Sequence, residues 1–203
     1  AAIPRFNGHT RAPYSVAQHS VLVSRHLEHD LGTATAGLYG LLHDASEAYL
    51  GDIPRPLKQQ AAFAPYREAE RRLQVVIYEA FGLSVKQEPM ELHLVDRRML
   101  LTERDALMPT ALQWESLDGI LDGIEPYDSQ SLTCWQFAAA KAAFLHRFDE
   151  LCGCRNQTEI HGSTCRKVSH DQGGGYLHGE DDDTPYNVDG LNYCGRCHRW
   201  LGA

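Results

Sequence analysis

No apolar run in this sequence approaches the roughly 20 residues that a helix needs to cross a bilayer, so no transmembrane segment is expected. No charged-then-apolar leader opens the chain, which begins Ala1-Ala2-Ile3-Pro4; a signal peptide is therefore not expected, and a cytoplasmic location is. Positive charge is also short, with 19 Lys and Arg against 27 Asp and Glu and a formal net charge of −8. Proteins that grip nucleic acid without regard to sequence need the opposite balance, because Lys and Arg neutralise the phosphates. A phosphate substrate would have to be held by something other than bulk charge, and a bound cation is the usual solution. There is no internal repeat, and biased sequence is limited to Gly173-Gly174-Gly175 and the acidic run Glu180-Asp181-Asp182-Asp183. Cysteine is nearly missing from the first 150 residues, where Cys134 stands alone. The other five follow, some near histidines, and in a chain not directed to export they read as metal ligands rather than disulfides.

What is present is a globular composition, 43% hydrophobic and 23% charged over 203 residues, enough for one helical domain and a small appendage. Val16, Val23 and Leu27 recur at helical spacing from Tyr14 to Leu31, with Pro13 as an acceptable start. The stretch Ala34 to Leu50 is apolar nearly all round, the pattern of a buried helix, and the prolines at 54 and 56 stop it. A third helix is predicted from about Pro65 to Gly82, with Leu73, Val76, Ile77 and Ala80 on its dry side and Gly82 as its stop. A fourth is predicted from about Glu88 to Met108, closed by Pro109, and a fifth from about Leu132 to Leu151. The expected fold is all-α over residues 1–151. Beyond it, glycine rises, helical stripes vanish, and residues 152–203 read as a separate small unit or a loop.

Chemistry enters through polar residues placed where apolar ones belong. His43, Asp44 and Glu47 share one face of the second helix, and buried ionisable groups are costly unless paired or bound to metal. His19 lies three residues after Val16 and four before Val23, on the stripe that should face the core. Alone it would equally suit a hydrogen-bonded core imidazole. Asp96 interrupts the stripe Leu92, Val95, Met99, Leu100 of the fourth helix, where an ion pair with Arg97 or Arg98 would also explain it. Together the four offer two imidazoles and two carboxylates from three helices, a mixed nitrogen and oxygen donor set for a divalent metal in a bundle interior.

The runs Arg5-Phe6-Asn7-Gly8-His9, Tyr14-Ser15-Val16-Ala17-Gln18-His19-Ser20, Leu41-Leu42-His43-Asp44-Ala45-Ser46-Glu47 and Gly51-Asp52-Ile53-Pro54 resemble the HD-domain nucleotide phosphohydrolases. The likeness is greatest to bacterial 5'-deoxynucleotidases and phage deoxynucleoside triphosphate hydrolases. It covers about residues 5 to 110. The resemblance implies an HD-domain helical bundle in which His19, His43, Asp44 and Asp96 bind a divalent metal such as Mn, Co, Mg or Zn. It implies that Glu47 and Asp52 position or activate water, and that Arg5 contacts phosphate, although Arg5 could instead brace the bundle. Lys58 and His9 are weaker phosphate candidates, a solvated Lys after a proline turn being the ordinary case. The implied enzyme cleaves a deoxynucleoside triphosphate to deoxynucleoside and triphosphate, or a monophosphate to deoxynucleoside and phosphate, and a homo-oligomer is the implied assembly.

In the tail, Cys194-Gly195-Arg196-Cys197 has the spacing of a zinc knuckle, and Cys165 offers a third thiolate. His161, His170, Cys154 and Cys152 compete for the fourth position, with His161 preferred. The expectation is a zinc-ribbon-like unit folded by structural Zn, because a Gly-rich segment of this length buries too little apolar surface to fold unaided. Two other readings remain: a nucleotide-sensing module that keeps the metal cage without turnover, and a nucleic-acid binder acting through the tail and a patch of Arg166, Lys167, Arg196 and Arg199. Glu47 and Asp52 argue against the first, and the net charge against the second.

Overall fold

The computed structural model describes residues 3–108 and 121–152, together with strands at 166–170, 173–177, 186–188, 191–193 and 200–202. Helix α1 (Val16–Leu31) starts where Ser15, in extended backbone, accepts a hydrogen bond from the Gln18 N–H, and it stops at Gly32 with φ at 68°. Its inward stripe buries Val16, Val23 and Leu27, and His19 lies in that stripe with no exposed surface. Helix α2 (Ala34–Leu42) is capped by Thr33 and lies close against α1. A methyl group added to Gly40 would sit 2.8 Å from Ser24 Cα, so glycine is what lets the two backbones approach.

The second helix does not run on to Leu50 as expected. It ends at Leu42, and residues 43–46 form a tight turn before the short α3 (Glu47–Leu50). The Ser46 N–H, whose partner in a continuous helix would be the Leu42 carbonyl, donates instead to Gln74 Oε1 at 3.2 Å, while Gln74 Nε2 donates to that carbonyl at 2.7 Å. A side-chain amide inserted into one backbone bond opens the helix at the His43-Asp44 pair. The segment continues through α4 (Arg55–Lys58), a helical turn that sequence periodicity did not indicate.

Helix α5 (Ala64–Ala80) ends before Gly82, which takes a left-handed φ of 69°. Its dry side differs from expectation, with Val76 60% exposed and Ala80 exposed too. The helix is turned so that Tyr66, Glu70 and Gln74, four residues apart on one face, reach Gly51, Lys58 and the 42–46 turn. Helix α6 (Glu91–Leu107) buries Leu92, Val95 and Met99. Pro109, its expected stop, lies outside the described residues. Helix α7 (Phe137–Cys152) begins five residues later than expected and closes the bundle against α1 and α2. There the Arg147 guanidinium bonds Ser24, Glu28 and Glu150. One apolar core joins Val21, Val23, Leu27, Leu41, Tyr78, Leu92, Met99 and Leu151.

The described part of residues 3–152 is thus all helical. The later segment contains strands: β1 (Arg166–His170) pairs antiparallel with β2 (Gly173–Leu177), and β4 (Leu191–Tyr193) pairs antiparallel with both β3 (Tyr186–Val188) and β5 (Trp200–Gly202). The zinc ligands anticipated at His161, Cys165, Cys194 and Cys197, together with Cys154, the acidic run at 180–183, Arg196 and Arg199, lie outside the described residues. His170, Arg166 and Lys167 fall in β1. Among the described residues no helix is long and apolar enough to cross a membrane.

Candidate metal centre

Two helices and one turn deliver four donor atoms to one point. His19 comes from the buried stripe of α1, His43 and Asp44 from the opened turn after α2, and Asp96 from α6. His19 Nε2 lies 3.2 Å from His43 Nε2, 3.6 Å from Asp44 Oδ2 and 3.1 Å from Asp96 Oδ1. His43 Nε2 lies 3.2 Å from the same Asp44 oxygen and 3.8 Å from the same Asp96 oxygen. His19, His43 and Asp44 form a close cluster that could hold a metal ion. Asp96, its side chain 36% exposed, sits on the open side.

The other nitrogen of each imidazole is already committed. His43 Nδ1 lies 2.8 Å from the Gly40 carbonyl, which can only accept, so this nitrogen carries the hydrogen. His19 Nδ1 is 2.6 Å from Glu103 Oε1, and the same logic assigns it the hydrogen. Both Nε2 atoms of the neutral rings therefore present lone pairs to each other and to two carboxylates. Such a cluster needs positive charge within it, from protons or from a cation. Donors bound to one ion at about 2.1 Å stand roughly 3.0–3.4 Å apart at right or tetrahedral angles, close to the separations found here. The donor set fits a divalent metal ion.

Without a metal, protons fill the role. Burial pulls His43 down, but Asp44 and Asp96 outweigh it and raise its pKa well above the ordinary 6.5. Burial and Arg5 act downward on His19, while Glu103 and Asp96 leave it raised. Burial opposes the ionisation of Asp44 and Asp96, yet the two imidazoles hold both well below the usual carboxylate range.

Glu103 is the residue that sequence reasoning missed. It is fully buried on α6 and accepts from Arg5 Nε at 3.1 Å, from the Tyr14 hydroxyl at 2.9 Å and from His19. Burial raises its pKa, and Arg5 and His19 more than reverse this. A signal existed in its position, seven residues after Asp96 and therefore on the same face of α6. Arg5, buried too, reaches Asp44 Oδ2 with Nη1 at 3.3 Å, so it both braces the bundle and borders the donor cluster. It stands at the start of a turn in which Phe6 and Asn7 adopt left-handed backbone, with φ of 53° and 51°.

Glu47 is buried beside the cluster. Burial, with the charges of Asp44 and Asp52, pushes its pKa up to about 8. Its Oε1 lies 3.4 Å from Lys58 Nζ, and its Oε2 is buried without a hydrogen-bond partner. Lys58 is no solvated lysine, since Glu70 holds it at 2.6 Å. Asp52 is half-buried and makes no hydrogen bond or ion pair among the described residues. His9 is exposed, and its side chain is not brought into the cluster.

No family model matches the chain. It is 35% identical over 150 residues to the Escherichia coli K12 protein YfdR, covering 73% of this chain and 78% of that one. It is 40% identical over 91 residues to RCAP_rcc00048 of Rhodobacter capsulatus, covering 41% and 44%. Both relatives are named as uncharacterized proteins, so the likeness brings kinship without an activity. On the breadth of the first match, this chain belongs to the same family as YfdR.

Proposed function

We propose that the chain is a divalent-metal-dependent phosphohydrolase of HD-domain type that acts on deoxynucleotides. The observation that carries this reading is the convergence of His19 Nε2, His43 Nε2, Asp44 Oδ2 and Asp96 Oδ1 while both Nδ1 atoms are tied elsewhere. These four residues would hold the metal. When bound, it supplies positive charge for the phosphoryl oxygens and lowers the pKa of water.

Arg5 has guanidinium donors beyond those used on Asp44 and Glu103, and they would take a phosphate oxygen. Glu47, with one oxygen unpartnered, would accept a proton from the attacking water and return it to the leaving oxygen. Asp52 would orient that water or the sugar side of the substrate. Water adds to the phosphorus bonded to the nucleoside oxygen, the bond to that oxygen breaks, and the oxygen leaves protonated. The products are deoxynucleoside plus phosphate or triphosphate. Lys58, paired with two glutamates, is a poorer phosphate ligand than Arg5, and exposed His9 poorer still.

The same reading keeps residues 1–151 as the catalytic body of a cytoplasmic homo-oligomer, and residues 152–203 as a separate unit holding structural Zn. The test is release of phosphate and triphosphate from a panel of dNMPs and dNTPs with Mn, Co, Mg or Zn, comparing the chain with Asp44→Ala. Metal-dependent turnover lost in the variant is expected. Bound metal with no turnover on any nucleotide would replace this reading with the nucleotide-sensing one.

A further inference from the structure

Two consecutive residues on a continuous α-helix point about 100° apart, since each residue advances that angle round the axis. Here His43 and Asp44 are consecutive, yet His43 Nε2 and Asp44 Oδ2 stand 3.2 Å apart and both reach His19. The backbone at this point is not a continuous helix. Ala45 bonds back to Leu42, Glu47 to Asp44 and Ala48 to Ala45, a tightened ladder with i to i+3 spacing. In the middle of it, the Gln74 amide occupies both ends of the missing Leu42–Ser46 bond.

We infer that Gln74 is a positioning residue for the metal centre, its amide wedged between Leu42 and Ser46 to hold open the turn that aims His43 and Asp44 at one ion. The inference rests on those two residues being metal ligands. The amide suits the place because one side chain supplies both an acceptor and a donor, and the gap needs one of each. Glu70 and Tyr66 grip the same segment further along, at Lys58 and Gly51, but neither enters the backbone ladder next to a donor residue. If Gln74 is replaced by a residue of the same length without the amide, Leu42 and Ser46 can bond each other. The helix then closes at no cost in backbone hydrogen bonds, and His43 and Asp44 turn apart.

Stability and metal binding therefore separate. Gln74→Met should keep its melting temperature within a few degrees of the parent while Mn(II) affinity, titrated by calorimetry on the metal-free full chain, falls at least about tenfold, as when an outer-shell support is lost. Gln74→Glu, which keeps the acceptor and loses the donor, should lie between. Glu68→Gln removes other polar contacts of the same helix, to Arg71 and Arg72 on its exposed side, and should leave Mn(II) affinity unchanged. Affinity within twofold of the parent in both Gln74 variants, or an equal loss in Glu68→Gln, overturns the inference. Should Gln74→Met fail to fold, Gln74→Glu against Glu68→Gln decides by the same criterion. A parent chain that binds no Mn(II), matched by His43→Ala, overturns the metal reading itself, and this inference with it.

Discussion

Glu103 has no exposed surface, yet it is the acceptor on which Arg5, Tyr14 and His19 all depend. Replacing it with glutamine turns one acceptor oxygen into a donor, which leaves the Arg5 charge buried with one partner fewer and weakens the acceptor that faces His19 Nδ1. Glu103→Gln should cost about 3–5 kcal/mol in urea unfolding, as breaking a buried ion pair does, and weaken Mn(II) binding roughly 10–100-fold. Unchanged affinity would show that the carboxylate only braces the bundle. Glu47 has the opposite electrostatic character, its pKa rising from 4.5 to about 8. Between those values the folded metal-free chain holds a proton that the unfolded chain has lost, so stability falls as pH rises, by up to about 1.4 kcal/mol per pH unit. The raised His43 acts in the same direction, its stabilisation being lost as pH climbs through its folded pKa, while the depressed Asp44, Asp96 and Glu103 withdraw theirs only in acid. Unfolding of metal-free Glu47→Gln from pH 5 to 8 should show a shallower decline than the parent. Parallel curves would mean that Glu47 is ionised throughout.

At the scale of elements, α1 and α2 set the distance between the imidazoles, and that distance depends on small residues. Gly40 lies where an added Cβ would meet the Ser24 backbone at 2.8 Å and 3.0 Å, and backbone cannot swing aside as a side chain would. Gly40→Ala should therefore push the helices apart, costing about 1–3 kcal/mol, and should weaken metal binding in step with the loss of stability. A stable variant with parental affinity would show that the two helices have slack at this point. The helices themselves were largely legible in sequence, since the stripes of α1 and α6 and the interruptions by His19 and Asp96 follow from periodicity alone. The division of α2 from α3 was not. It depends on an amide 28 residues from Ser46, and no local pattern encodes a contact of that kind. The facing of α5 was missed for a related reason, because its inner face works through the polar contacts of Tyr66, Glu70 and Gln74 as well as through Tyr78 in the core.

For the whole molecule, the donor cluster draws on α1, the turn after α2 and α6, so an ion held there would bind the folded chain and not the unfolded one. Mass action then predicts about 2.7 kcal/mol of added stability at a free metal concentration about 100 times Kd, a rise of roughly 5–10 °C in Tm for a chain of this size. Scanning calorimetry of the EDTA-stripped chain with and without Mn(II) measures it, and Asp44→Ala should abolish the rise. An equal rise in the variant would place the bound metal elsewhere.

The sequence by itself determined the helical character of the described part of residues 3–152 and the unlikely company of His19, His43, Asp44 and Asp96 on faces meant for the core. Those readings are local, because helical period and the cost of burying charge act within a few turns of chain. Only the tertiary structure decided that the four donors meet, that Glu103 and Arg5 stand behind them, and that Gln74 opens the turn between α2 and α3. These outcomes depend on groups 24 to 98 residues apart, brought together by packing that no single segment specifies.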